Sequence, residues 1–295
     1  MPLVNMRSLL AQADQFGYAV GAFNVANMEM VIGTVRAAEE SRSPIILQVA
    51  QGRLAHAPLA LIGPMLLAAA RRATVPVAVH LDHGRDVETI GQALELGFTS
   101  VMIDGSHLPL ADNLVLTRQV KRLADGYGAA VEAEVGQLGG SEDDEAARDM
   151  LHSDPDEVRI LYEETGVDAI ALSIGNAHGL YRGEVRLRFR LLDEARRLVP
   201  VPLVLHGGTG ICAADFRRCI GHGVRKINIA TASFLAAEEA ARIYAGRPER
   251  DWFRLSAAMA EATRANVLAH VRIFGSEGRA DALPTDGLVM KGGIA

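Results

Sequence analysis

The chain has 295 residues, 49% of them hydrophobic and 22% charged, which suits one large domain or two small ones. Its net charge of -6 and its lack of basic runs argue against a nucleic-acid partner. The two cysteines, Cys212 and Cys219, lack metal-type spacing, and the N terminus does not resemble a signal peptide, so we expect a reduced, cytoplasmic protein. The most apolar stretch, 57–70, is too short to cross a bilayer, and no membrane association is expected.

Short apolar runs alternate with helical patterns along the chain. Runs typical of strands lie at 18–23, 44–49, 77–81, 100–103, 129–135, 168–174, 201–205 and 224–229. Helical patterns lie at 29–41, 59–72, 87–96, 110–124, from 154 onwards, and at 191–198, 213–220, 233–244 and 252–273. We expect the helix at 59–72 to be interrupted near its start, where Gly63 and Pro64 occur.

This alternation predicts an α/β protein. Strand–helix repeats imply a parallel sheet, and eight of them over this length favour a closed (β/α)8 TIM barrel. No linker or shift in composition marks a second domain. We therefore expect a single barrel domain over 1–295, with extra C-terminal helices at about 246–295.

Unusual polar residues lie at or just beyond the C-terminal ends of the predicted strands, which is the face where active sites of this fold are built. The central stretch is 76–84, an apolar strand that carries two histidines and an aspartate at its end. Burying such groups is costly unless they are paired or bound to metal. The strand-end residues are Asn24, Asp82, His83, Asp104, Glu134, His178, His206 and Asn228.

Three of these histidines form a predicted metal site. His83, His178 and His206 follow strands three, six and seven, and a glycine follows each of them. Three neutral imidazoles with one open position are typical of catalytic zinc, whereas a lone histidine in such a place is more often structural. Asp82, next to His83, is suited to proton transfer.

Two segments favour phosphate binding. The Gly-rich turn 206–210 follows strand seven, and 228–231 leads from strand eight into a helix. Exposed backbone N–H groups and helix N termini attract anions, and the loops after strands seven and eight of this fold often hold a phosphate. A tight turn is the usual meaning of a Gly-rich loop, but the position on the barrel favours the functional interpretation.

These residues resemble the class II, zinc-dependent ketose-bisphosphate aldolases, which include fructose- and tagatose-bisphosphate aldolases. The resemblance extends from Met1 to Ser276, nearly the whole chain. It rests on the motifs His80-Leu81-Asp82-His83, Met102-Ile103-Asp104-Gly105-Ser106-His107, Val131-Glu132-Ala133-Glu134, Ala177-His178-Gly179, His206-Gly207-Gly208-Thr209-Gly210 and Lys226-Ile227-Asn228-Ile229-Ala230-Thr231.

The resemblance implies cleavage of a ketose 1,6-bisphosphate to dihydroxyacetone phosphate and glyceraldehyde 3-phosphate. It implies zinc on the three histidines, with Asp104 and Glu134 as supporting metal-site groups. Asp82 would handle the C4 hydroxyl proton, and Glu142, on a mobile loop at about 136–153, would be the second catalytic acid. A monovalent cation, Na+ or K+, would lie near the phosphate. The implied substrate- and phosphate-binding residues are Asn24, Gly179, Gly207, Gly208, Thr209, Asn228, Ala230, Thr231 and Arg254.

Some positions depart from the family pattern. Ala50 occupies a position where many fructose-specific members have Ser, Asn176 replaces the usual Ser or Thr, and 230–233 is nearer the tagatose type. The sugar therefore stays open between fructose 1,6-bisphosphate, tagatose 1,6-bisphosphate and a 6-phospho-5-dehydro-2-deoxygluconate. For the second phosphate, Arg254 is the candidate and Arg53 the alternative.

Two other functions compete with this one. A Schiff-base aldolase on the same barrel needs a lysine in the site, for which Lys226 is the nearest match. A non-catalytic barrel subunit of an aldolase complex would need neither the histidines nor Asp82. As an aldolase, the chain is expected to form a homodimer or homotetramer.

Overall fold

The computed structural model describes residues 2–140, 150–181 and 183–282. Within them, eight parallel strands close into a barrel in which each strand pairs with its neighbours in sequence and the last pairs with the first. The predicted (β/α)8 TIM barrel is therefore confirmed. The strands are β1 (Val20–Asn24), β2 (Ile45–Ala50), β3 (Val77–Gly84), β4 (Ser100–Ile103), β5 (Ala130–Val135), β6 (Ala169–Leu172), β7 (Leu203–Leu205) and β8 (Val224–Ile229).

Helices surround the barrel and bury their apolar faces against it. The helices are α1 (Met6–Phe16), α2 (Met28–Glu40), α3 (Leu59–Arg72), α4 (Val87–Leu96), α5 (Leu110–Gly126), α6 (Pro155–Thr165), α7 (Phe189–Leu198), α8 (Ala213–Gly221), α9 (Thr231–Ala245) and α10 (Trp252–Phe274). No helix in the described ranges combines the length and hydrophobicity that a membrane span requires.

The expected interruption of the helix at 59–72 is wrong, because α3 runs unbroken through Pro64. Its buried residues include Ile62 and Leu66, so tertiary packing outweighs the cost of the proline. Gly63 also permits close packing of α3 on α4, because a Cβ atom at this position would lie only 2.9 Å from Leu96 Cδ1.

The first helix, α1, was missed in the sequence and closes the N-terminal end of the barrel. The side chain of Asn5 caps it by accepting a bond from the Arg7 N–H, and Gly17 ends it in the left-handed conformation. Met6 and Leu9 are fully buried among small residues of the strands. One end of the barrel is thus filled by apolar packing, which leaves the other end for polar groups.

Buried polar side chains meet at the carboxyl end of the strands. They are exceptional in a core built mainly of hydrophobic residues. The set comprises Asn24, Gln48, His80, Asp82, His83, Asp104, Glu132, Glu134, His206, Lys226 and Asn228.

Candidate active site

The three predicted metal-binding histidines come together. His83 is the second-to-last residue of β3, while His178 and His206 follow β6 and β7. The His83 ring centroid lies 4.9 Å from that of His178 and 4.7 Å from that of His206. One nitrogen from each ring lies within 4.8 Å of the others, a spacing that lets a single cation contact all three.

The backbone of β3 turns His83 towards this cluster. His83 has φ of +44°, in the left-handed region that non-glycine residues rarely adopt, and the pairing of β3 with β4 shifts register between Leu81 and Gly84. In a regular strand, Asp82 and His83 would point to opposite faces. The irregularity therefore explains how two consecutive residues can serve one site, and strain of this kind is common at functional positions.

Carboxylates orient two of the imidazoles. His83 Nδ1 lies 3.0 Å from Asp104 Oδ2, and His206 Nε2 lies 2.7 Å from Glu132 Oε1. Burial lowers the pKa of His206, which favours the neutral ring. When each carboxylate accepts the N–H of its imidazole, the other ring nitrogen presents a lone pair.

The remaining ring nitrogens, His83 Nε2 and His206 Nδ1, lie 2.9 Å apart. Two lone pairs at this distance repel one another, and a cation that both nitrogens bind removes the repulsion. The donor set and its orientation therefore fit a metal ion.

Two further carboxylates adjoin the cluster as expected. His83, Asp104 and Glu134 form a second group whose ligand atoms lie within 4.8 Å of one another. Asp104 also accepts bonds from the backbone N–H and the hydroxyl of Ser106. Burial raises the pKa of Asp104, but the bonds from His83 and Ser106 outweigh it and hold this pKa below its ordinary value. An ionised Asp104 can keep the His83 ring in one orientation.

Asp82 is fixed by three side-chain amides. Asn228 Nδ2 donates to Oδ1 at 3.0 Å, while Asn24 Nδ2 and Gln48 Nε2 donate to Oδ2 at 3.1 and 3.0 Å. These donors come from β8, β1 and β2, so three strands position one carboxylate. Asp82 itself is 1% exposed. The geometry suits a base that holds and releases one proton at a fixed place.

Gln48 was missed in the sequence. It pairs in register with Asn24 on one side and His80 on the other, and it is fully buried. A glutamine within the apolar strand Ile45–Ala50 was the available signal, because a buried amide needs partners.

The Gly-rich loops line an open cleft next to the histidines. Gly207 has φ of +62°, and a Cβ atom there would lie 2.1 Å from the carbonyl oxygen of Ala177, so glycine is required for this close approach. Thr209 Oγ1 accepts the backbone N–H of Ala232 in the first turn of α9. The cleft is lined by Asn24, Arg53, His178, Gly179, Gly207, Gly208, Thr209, Asn228, Ala230, Thr231 and Phe234.

The cleft therefore contains all the predicted substrate- and phosphate-binding residues except Arg254. Arg254 lies in the first turn of α10, where its N–H bonds to Asp251 and its side chain is exposed. Glu142 lies outside the described residues. The chain reaches Gly140 beside the metal site, since the N–H of His178 donates to the carbonyl of Gly139.

Two residues that the sequence did not assign to the site brace its loops. Asn176 Nδ2 donates to the carbonyl of His206 at 3.0 Å, and its Oδ1 accepts the N–H of Ile174. The Tyr181 hydroxyl accepts the N–H of Ala177 and donates to the carbonyl of Gly207 at 2.9 Å. Both tie the loop that carries His178 to the loop that begins at His206.

A buried ion pair lies beneath the histidines. Lys226 Nζ is 2.8 Å from Glu132 Oε2, and both side chains are 0% exposed. Burial opposes ionisation of Glu132, but Lys226 and His206 outweigh it and lower its pKa. The neighbouring His80 bonds to Ser100, and burial lowers the pKa of His80 to about 3, so its ring is neutral. Lys226 is thus committed to Glu132, which disfavours a Schiff-base role.

Comparisons with known proteins identify the family of this chain. A family model described as class II fructose-bisphosphate aldolase matches residues 4–279. A "probable fructose-bisphosphate aldolase" of Bacillus subtilis (strain 168) is 41% identical over 287 residues, which cover 95% of this chain and 100% of the relative. A fructose-bisphosphate aldolase of Staphylococcus aureus (strain Mu50) is 39% identical over 285 residues, with the same coverage of 95% and 100%.

The similarity extends to three dimensions. The crystal structure of the YdjI aldolase from Escherichia coli K12 matches with a TM-score of 0.85 and 34% identity, covering 95% of this chain and 100% of that one. The family model, the full-length relatives and the fold thus agree with one another. The chain therefore belongs to the class II fructose-bisphosphate aldolases, a metal-dependent family of aldehyde-lyases.

Proposed function

We propose that this chain is a zinc-dependent aldolase that reversibly cleaves fructose or tagatose 1,6-bisphosphate to dihydroxyacetone phosphate and glyceraldehyde 3-phosphate. The observation that carries the proposal is the convergence of three imidazoles beside Asp82, at the edge of a cleft lined by Gly-rich loops. In this proposal His83, His178 and His206 hold the zinc, and Asp104 and Glu134 support it.

Bond cleavage begins at the C4 hydroxyl of the ketose. Asp82 takes this proton, the C4–O bond becomes a carbonyl, and the C3–C4 bond breaks with its electron pair left on C3. Asn228, Asn24 and Gln48 keep the Asp82 carboxylate in place throughout. A bound zinc ion supplies the Lewis acid that stabilises the negative charge developing on the ketone half.

The second proton transfer completes dihydroxyacetone phosphate. A proton must be delivered to C3 after the aldehyde has formed, and we assign this role to Glu142, following the family resemblance. Closure of a loop around the site would exclude water during this step.

The phosphate of the ketone half is assigned to the loops after β6, β7 and β8. Backbone N–H groups of Gly-rich turns and the N terminus of α9 favour an anion there. We place the Na+ or K+ site of the family nearby. Asn228 Oδ1 fits it, because this buried oxygen has no hydrogen-bond partner among the described residues and oxygen ligands suit such cations. The proposed phosphate-side residues are Gly179, Gly207, Gly208, Thr209, Asn228, Ala230 and Thr231, with Asn24 near the reacting carbons.

The metal assignment predicts a selective loss in a ligand variant. We expect His178→Ala to weaken zinc binding at least tenfold, because an imidazole ligand is lost, and to abolish the activity that zinc restores after treatment with a chelator. The measurement is zinc competition against a chromogenic chelator. His222→Ala is the matched control, since His222 pairs with Asp193 away from the cluster. Equal zinc affinity in both variants would remove His178 from the metal site.

The second phosphate of the substrate is assigned to Arg254. Arg254→Ala should raise KM for the bisphosphate, because a guanidinium binds a phosphate through two parallel hydrogen bonds. The affinity for dihydroxyacetone phosphate should stay unchanged, because this ligand lacks the second phosphate. Steady-state kinetics in both directions measure this. Equal changes for both ligands, or none for either, would contradict the assignment.

The choice of sugar is tested by a coupled assay of the zinc-loaded enzyme with fructose 1,6-bisphosphate, tagatose 1,6-bisphosphate and 6-phospho-5-dehydro-2-deoxygluconate. If the enzyme cleaves neither bisphosphate, the proposed substrate is wrong.

The family resemblance also supports our proposal of a single-domain, cytoplasmic homodimer or homotetramer. Light scattering of the purified protein tests the oligomeric state.

A further inference from the structure

Arg53 lines the active-site cleft and belongs to a short turn that is fixed to the barrel. It ends a single 3-10 turn, Gln51–Arg53, that follows β2 directly. The Gln51 side chain accepts the N–H of Arg85 at 2.6 Å and donates to Thr89 Oγ1 at 3.1 Å, which ties the turn to the β3–α4 connection. The position of Arg53 is therefore set by the barrel scaffold.

The guanidinium of Arg53 is directed towards the phosphate side. Its central carbon lies 5.9 Å from the centroid of the Phe234 ring, and Phe234 is the fourth residue of α9. A planar guanidinium over an aromatic face is favourable and restricts the side chain. Arg53 thus lies beside the first turn of the helix that follows the proposed phosphate loop.

The other residues lining this cleft bring little charge to meet an anion. Among the lining residues that the structure describes, Arg53 is the one with a permanent positive charge. The N-cap residue of α9 is Ala230, whose side chain makes no capping bond. Asn228 lines the same cleft, but its Nδ2 already donates to Asp82 and its Oδ1 is an acceptor, so it brings no positive charge to an anion. A phosphate dianion that leaves water for such a cleft needs a cationic partner.

We propose that Arg53 binds the phosphate of the three-carbon ketone half, together with the loops after β7 and β8. This inference rests on the proposed function. It differs from the sequence interpretation, in which Arg53 was an alternative partner for the distal phosphate. Asp82 removes the C4 hydroxyl proton in the proposed reaction, whereas Arg53 contributes to substrate binding.

The test compares Arg53→Met, which keeps the length but removes the charge, with Arg53→Lys, which keeps the charge but loses the planar fork. In the condensation direction, Arg53→Met should raise KM for dihydroxyacetone phosphate about 10- to 100-fold, as expected for loss of a charge-assisted contact. Its kcat and its KM for glyceraldehyde 3-phosphate should stay within about threefold, because the contact is equal in the ground and transition states. Arg53→Lys should recover part of the loss.

The control is Arg218→Met, which removes another guanidinium stacked on a phenyl ring, that of Phe189 at 3.7 Å, on α8. It should behave as the wild type. Calorimetric titration of the zinc-loaded protein with inorganic phosphate gives a second measurement that does not need turnover, and Arg53→Met should weaken this binding as well.

The outcomes are distinct. Dihydroxyacetone phosphate KM and phosphate Kd within twofold of the wild type would overturn the role of Arg53, as would a rise in KM confined to glyceraldehyde 3-phosphate. If the wild type cleaves neither bisphosphate, the proposed function fails, and the phosphate Kd of Arg53→Met then supports or overturns the role of Arg53 independently.

Discussion

Replacement of Asp82 by alanine should lower kcat by about 10²- to 10⁴-fold, the usual contribution of a general acid–base group. Asp82 accepts bonds from three amides and adjoins the imidazole cluster, so its carboxylate has one fixed place from which to take the C4 proton. The loss should appear in kcat, whereas zinc stoichiometry should persist because the imidazoles remain. Single-turnover cleavage and zinc analysis of the same preparation measure the two quantities.

Asp86→Ala is the matched control for this variant. Asp86 lies four residues further along the chain and caps α4, with its Oδ1 accepting the N–H of Thr89 at 2.7 Å. Loss of a cap costs about 1 kcal/mol of stability, but it removes no group from the reaction. If Asp82→Ala keeps kcat within a few-fold of Asp86→Ala, Asp82 only orders its neighbours and another base must be sought.

The barrel architecture was predictable because short stretches of the sequence show the periodicity of strands or of helices. Alternating strand and helix periodicity defined the barrel, and the connectivity of the barrel brings all strand ends to one face. His178 and His206 could therefore be associated with His83 across about a hundred residues of sequence. The C-terminal boundary of β3, at Gly84 and not at 81, was less predictable, since the positive φ of His83 and the register shift that orient its ring arise from pairing with β4.

Other parts of the site depended on tertiary contacts that no local pattern reveals. Gln48 acquires its role from a register that places it beside Asn24, and Tyr181 from a bond to the carbonyl of Gly207. The helix α1 was missed because its amphipathic face packs against an end of the barrel that exists only after folding. From the sequence, Arg53 could be placed only near the mouth of the barrel. The proximity of its guanidinium to Phe234, seen in the structure, shows that it lies on the side of the proposed phosphate loops.

Lys226→Met should destabilise the protein by about 3–5 kcal/mol, because it leaves a buried carboxylate without its cation. Glu132 has one oxygen 2.8 Å from Lys226 Nζ and the other 2.7 Å from His206 Nε2, and none of the three side chains is exposed. Methionine fills the volume of the lysine stem, so the expected loss is electrostatic. Urea unfolding of the zinc-free protein measures it without the contribution of bound metal.

A second change separates the lost charge pair from a packing defect. In Lys226→Met combined with Glu132→Gln, neither charge of the pair remains, and the amide oxygen can still accept the N–H of His206, so most of the lost stability should return. Lys121→Met is the matched control, since Lys121 pairs with the exposed Asp125 on the same helix and lies 4.0 Å from Asp168. Pairs that solvent reaches contribute about 0–1 kcal/mol. If the double variant is as unstable as Lys226→Met alone, the lysine acts by packing, and the ion pair does not stabilise the floor of the metal site.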